Sequence, residues 1–321
     1  MKQIKTFFAR FITYIFIVLF AGSLAANAEI KVVTTIKPLH SLISNVMDGV
    51  GEPSLIIEGS TSPHSFVLKP SHAKMIEQAD IIFWIGEDIE TFMEKPLESI
   101  AKNAKKISFM ELTSIEKLKF REENIFDHDD HDDHGHGEKK DHDDHGHGHE
   151  GHHHGEFDAH IWLDPANAKE MLHEIAHELA DLDPNNASKY ESNADQAIMS
   201  IDKMIKEIDG NINKDAKFIV FHDAYQYFEK RFGVMTAGAL TLNTDVLPGA
   251  KQISEIQEVI EERDIKCIFS EPQFNPKIIE TIAKDTGIKT GVLDPLGSIF
   301  DANKMQYFKL INDLGNKLKD C

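Results

Sequence analysis

Basic residues are scarce in this chain. Lysine and arginine number 34 against 54 acids, giving a formal net charge of −20 over 321 residues. Such a chain repels nucleic acid and anionic membrane surfaces and attracts cations. Cysteine is almost missing, with only Cys267 and Cys321 present. No glycine-rich phosphate loop, no G-x-S-x-G elbow and no catalytic Cys/His pair can be read anywhere. Long apolar runs are missing too. The longest, Phe11 to about Leu24, is short for a membrane span.

That run instead has the form of a secretory signal. Lys2, Lys5 and Arg10 supply a positive n-region, Phe11–Leu24 the apolar region, and Ala26-Asn27-Ala28 an A-x-A cleavage site. Residues 1–28 are expected to be removed and the mature chain to start at Glu29 in the periplasm. No cysteine stands at the cleavage point, so no lipid anchor is expected there. In an oxidising compartment an even pair of cysteines points to one disulfide, Cys267–Cys321, worth roughly 4 kcal/mol at most. Two free thiols, or an intermolecular bond through Cys321, are the alternatives.

After the signal, short β-branched runs alternate with helical stretches. Lys31–Ile36, Ser54–Glu58, Asp80–Gly86 and the segment KISFM read as strands. Helices are expected from Pro38 to about Met47, from Pro70 to about Ala79, and from Ile89 to Asn103. A further helix is expected from Pro165 to about Leu182. A long amphipathic stretch follows from about Asn186 to Ile212, with Ala194, Ile198, Ile201, Ile205 and Ile208 at helical spacing. The alternation then restarts with KFIVF, VMTAGAL, CIFS and TGVLD as strands. This pattern predicts an α/β fold of two lobes, each with a mostly parallel sheet flanked by helices. The expected divisions are 29–183 for the first lobe, 184–213 for a linking helix, and 214–321 for the second lobe.

One segment interrupts the first lobe as an insertion. Apart from Lys139 and Lys140, residues 127–156 are histidine, acid and glycine, so they cannot form a core and should make a solvated, disordered loop. Imidazoles beside carboxylates are ligands for borderline divalent metals, zinc above all. His128, His131, His134, His136, His142, His145, His147, His149, His152, His153 and His154 are therefore candidates for an accessory, multi-site zinc-binding tract.

Ligands of parallel α/β sheets bind beyond the carboxyl ends of the strands. His64 follows the Ser54 strand, and His222 closes KFIVF. His160 stands where the chain re-enters the fold, and Asp294 follows TGVL. A cleft between lobes could gather three imidazoles and one carboxylate. The segments around these residues, GSTSPHSFVLKPS, EFDAHIWLDP, FHDAYQYFEKRFG, CIFSEPQFNP and LDPLG, resemble the periplasmic solute-binding proteins of high-affinity zinc ABC importers, the ZnuA type. The mid-chain His/Asp tract and the spacing of Cys267 and Cys321 resemble that branch as well, and the likeness covers the whole mature chain.

The resemblance implies two lobes joined by one long rigid helix, with Zn2+ carried in the interlobe cleft by His64, His160 and His222. Some zinc members place a glutamate before the first ligand histidine, but Pro63 stands here. Asp294 or a water is then the fourth ligand. Three imidazoles with at most one oxygen suit zinc better than manganese. The implied partner is an inner-membrane ABC permease with its cytoplasmic ATPase. The protein is expected to be a monomer that handles no organic substrate and catalyses nothing.

Three rivals stand beside this reading. One is a manganese- or iron-type receptor of the same fold, and another is a metal buffer without a transporter. The third is a secreted metalloprotease, because His173-Glu174-Ile175-Ala176-His177 fits H-E-x-x-H. Against the protease, no third histidine follows, and Leu172, Ile175, Ala176 and Leu179 are needed for the buried stripe of that helix.

Overall fold

A computed structural model describes residues 30–126 and 155–321, except 243, 245 and 320. The signal segment and the accessory histidines from His128 to His154 lie outside the described residues. The first sheet contains β1 (Val32–Thr34), β2 (Ser54–Leu55), β3 (Ile81–Trp84) and β4 (Lys105–Ser108), in the order β2-β1-β3-β4. The second contains β5 (Phe218–His222), β6 (Ala239–Thr241), β7 (Cys267–Ser270) and β8 (Lys289–Val292), in the order β6-β5-β7-β8. Every strand pair in both sheets is parallel. The two sheets therefore share one topology. In each, the chain crosses its first strand to reach the third, which opens a crevice beyond the carboxyl ends of those strands.

The helices are α1 (Lys37–Val46), α2 (Pro70–Glu77), α3 (Glu94–Ser99), α4 (Pro165–Leu182), α5 (Ala187–Asp209), α6 (Gln226–Phe232), α7 (Ala250–Glu262), α8 (Lys277–Thr286) and α9 (Gln306–Leu318). Proline opens α1, α2 and α4, where its missing N–H costs nothing. Burial follows the pleat. Phe218 and Val220 of β5 enter the main core, while Ile219 and Phe221 enter a smaller one with Ile256, Val259 and Ile282. The main core is continuous from Val32 and Phe83, through Leu172 and Ile201, to Phe218 and Leu310. The α5 helix, about 34 Å long at the usual rise, packs on α4, α1 and α9.

Several expected elements differ in extent. Only Ser54–Leu55 pairs as a strand, because Ile56 and Ile57 already turn their amides to the carbonyls of Thr34 and Thr35 as β1 ends. The helix expected over 89–103 is shortened to Glu94–Ser99, preceded by a helical turn at Thr91–Met93. Buried Glu90 holds the preceding loop open, its Oε2 accepting from the amides of Ile85 and Gly86. HIWLD forms a helical turn, Ile161–Leu163, and Asp164 caps α4 by accepting the Ala166 amide.

The segment before the His tract docks on the second sheet. Ile125 bridges Gly238 antiparallel, and Phe126 donates to the Ala237 carbonyl at 3.0 Å. A Cβ on Gly238 would stand 2.5 Å from the Asn124 carbonyl oxygen, so only glycine permits this crossing. Lys119 and Phe157 form a second antiparallel bridge that closes the neck of the inserted tract. Cys267 and Cys321 form a disulfide that ties the end of the chain beyond α9 to β7.

Candidate metal centre

His64 lies on the turn Pro63–Ser65 between β2 and α2. Pro63 pre-sets the turn, and the Ser62 hydroxyl accepts the His64 amide. The residue is half-buried, while its neighbour Val67 is 78 % exposed. His160 arrives from the neck of the tract. Asp158 donates its amide to the Leu118 carbonyl, and the Tyr227 hydroxyl donates to the Asp158 carbonyl at 2.6 Å. His222 is the last residue of β5, at the crevice between β5 and β7.

The three rings converge. Nε2 of His160 lies 3.4 Å from Nε2 of His64 and 3.3 Å from Nε2 of His222. One ligand nitrogen from each residue lies within 4.8 Å of the other two. Tetrahedral zinc with bonds of about 2.0–2.1 Å to nitrogen requires neighbouring ligand atoms about 3.3–3.4 Å apart. The two separations to His160 have that value, and the third lies within 4.8 Å.

Two buried carboxylates stand behind it. Nδ1 of His160 is 2.6 Å from Asp158 Oδ1, which also accepts the His160 amide. The other oxygen of Asp158 accepts from the Gln226 side chain at 2.7 Å. Nδ1 of His222 is 2.6 Å from Glu271 Oε2, and Glu271 follows β7 directly. A carboxylate accepting Nδ1–H fixes the tautomer whose Nε2 carries a free lone pair, the form a metal requires. Burial pulls the His222 imidazole down, but the charge and hydrogen bond of Glu271, with Asp223 and Asp158, outweigh it and raise its pKa.

Behind His222, Asp223 is buried and pushed up to about 7 by loss of solvent, against the pull of Arg121. Arg121 spans Asp223 at 2.8 Å and Glu229 at 2.7 Å, with its guanidinium over the Phe126 ring. One cation thus offsets the acids packed behind the imidazoles.

Asp294 is not brought into the cluster. It is buried, and its oxygens accept from the Gln273 side chain, the Leu296 amide, and the amide and hydroxyl of Ser298. Those bonds shape the turn after β8. His40 faces the Pro53 carbonyl and Ser44, and His72 caps α2 by accepting the Lys69 amide. His173 and His177 sit on the exposed face of α4, outside the triad. Sequence reasoning missed Asp158 and Glu271 as orienting groups. The first was legible as D-x-H, two residues before His160. The second becomes visible only once β7 is known to lie beside β5.

Residues 32–321 match the family described as the zinc-uptake complex component A, periplasmic (ZnuA). The chain is similar to the high-affinity zinc uptake system protein ZnuA of Brucella abortus (strain 2308), with 43% identity over 330 aligned positions and 99% of each chain covered. The Yersinia pestis protein of the same description is 35% identical over 303 positions, covering 92% of each. In fold the chain is similar to a crystal structure of ZnuA, with a TM-score of 0.73 at 20% identity over 91% of this chain and 99% of the other.

Proposed function

From the premise that the chain belongs to the ZnuA family of periplasmic zinc-uptake components, we propose that it captures Zn(II) in the periplasm and delivers it to an inner-membrane ABC permease driven by a cytoplasmic ATPase. Zinc is the cargo, and the chemistry is exchange of ligands rather than turnover. The observation that carries this reading is the spacing of the three Nε2 atoms, two of them backed by Asp158 and Glu271. His64, His160 and His222 bind the ion. Water fills the fourth position, since the Asp294 oxygens are already engaged. The all-imidazole protein set favours zinc over manganese, which takes oxygen-rich sites.

Half-buried His64, on a surface turn, lies on the side where the ion enters and leaves. His160 and His222 form the fixed wall. In the same reading residues 1–28 are the cleaved signal, and α5 joins a first lobe (29–183) to a second (214–321). The mature chain works as a monomer, and the histidines between 128 and 154 collect zinc at lower affinity.

The test is a competition titration of the mature chain with zinc and manganese at equal concentration. Zinc should occupy one tight site. His222→Ala should weaken that site at least a hundredfold, while His177→Ala leaves it unchanged. Equal losses in the two variants, or preferential manganese retention, would overturn the assignment.

A further inference from the structure

The H-E-x-x-H sequence of α4 plays no part in the cleft, yet its two histidines share a surface with acids of the next helix. A furrow of 420 Å³ runs between α4 and α5, floored by alanines. His173, His177 and Asp181 line it from α4, and Glu191 and Asp195 line it from α5. Residues four apart on a helix lie on one face, so His173, His177 and Asp181 form a single column. His177 Nε2 is 3.9 Å from Asp181 Oδ2. No lysine or arginine lines the furrow, so its three carboxylates face two imidazoles without a cation. Glu174 is not among the lining residues, because one residue along a helix rotates it about 100° from His173. The pair therefore lacks the base that a hydrolytic H-E-x-x-H site would need, and what remains is a chelate.

We propose that His173 and His177, with Asp181 and a carboxylate from Glu191 or Asp195, form a second and weaker site for a zinc-class divalent transition metal on the outer face of α4 and α5. Two imidazoles select a borderline metal over calcium or magnesium, and the carboxylates add charge and oxygen ligands. Among the described residues only the cleft triad is preassembled. The furrow side chains are exposed, those of His177 and Asp181 by 67 and 59 %. The ion must gather them, so the site fills only after the cleft. Its walls belong to two different helices, so an occupying ion staples α4 to α5. This site is independent of the cleft reading.

The test is a zinc chloride titration of the mature chain, followed through the imidazole Cε1–H resonances of His173 and His177. The resonances are assigned with His173→Gln and His177→Gln. After the first equivalent is bound and as the remaining histidines saturate, both resonances should move together. Calcium chloride at the same concentration should leave them in place. In His177→Gln the response of His173 should weaken at least tenfold, while the melting temperature and cleft affinity stay unchanged. The proposal is overturned if neither resonance moves up to saturation, if calcium moves them equally, or if His173 responds as before without His177.

Discussion

At the scale of single residues, the centre depends on which nitrogen of each ring is bare. Asp158 and Glu271 take Nδ1–H from His160 and His222, and so aim their Nε2 lone pairs at one point. Asp158→Asn and Glu271→Gln preserve shape but remove the charge that makes each imidazole a strong donor. Zinc affinity, measured by chelator competition, should fall about 10–100-fold in each. Unchanged affinity in both would show that the carboxylates serve only packing. The raised pKa of His222 sets a pH dependence. In the metal-free protein, a folded-state pKa above the unfolded value gives stability that is complete below the unfolded pKa. That stability is lost as pH rises through the folded one. Zinc needs the neutral ring, so metal stabilises most where the proton stabilises least. The zinc-induced rise in melting temperature should therefore widen from about pH 5.5 to about pH 8. A constant or narrowing rise would contradict the displacement of a proton from this site.

At the scale of elements, strand ends position the chemistry. His222 ends β5, Glu271 follows β7, and parallel pairing of these strands sets imidazole and carboxylate side by side. Helix α6 then fixes His160 from behind, with Gln226 and Tyr227 holding Asp158 and Arg231 pairing with Asp164 at 2.6 Å. The terminal helix α9 packs on α1, while the Cys267–Cys321 bond ties its end to β7. With the cysteines 54 positions apart in sequence, loop entropy lost from the unfolded chain amounts to about 4 kcal/mol. Cys267→Ser with Cys321→Ser should lower stability by up to that amount in urea unfolding, with zinc affinity almost unchanged. A tenfold or greater loss of affinity would mean that the bond also shapes the centre. Helix and strand types were legible at this scale because proline, periodicity and β-branched runs act locally. Their ends were not. Only Ser54–Leu55 of the second strand pairs, and Glu90 reshapes the segment before α3 through bonds to a loop that sequence reading cannot fold.

At the scale of the whole molecule, the described residues on either side of the inserted tract are tied to each other ahead of the centre. The Lys119–Phe157 bridge closes before His160 is reached, and the amide of Asp158 is held by Leu118 on the fold side of it. Deleting residues 135–154 should therefore remove extra zinc equivalents and keep one tight site, read by calorimetry. Loss of the tight site would place the metal centre in the tract instead.

Composition alone made this chain strongly acidic and attractive to cations, and its alternating local pattern was enough to read two parallel α/β sheets. Position relative to the strands nominated His64, His160, His222 and Asp294 alike, and it was the likeness of the surrounding segments to the zinc-importer family that narrowed the expected ligands to the three histidines. Tertiary structure decided what depends on adjacency. It set Nε2 of His160 3.4 and 3.3 Å from those of His64 and His222, gave the carboxylates of Asp158 and Glu271 their places, and engaged the Asp294 oxygens with Gln273, Leu296 and Ser298. The meeting of the three rings and the pairing of His222 with Glu271 follow from contacts between segments 49 to 96 residues apart, which local pattern cannot encode, whereas the Asp158–His160 pair is local and was open to reading.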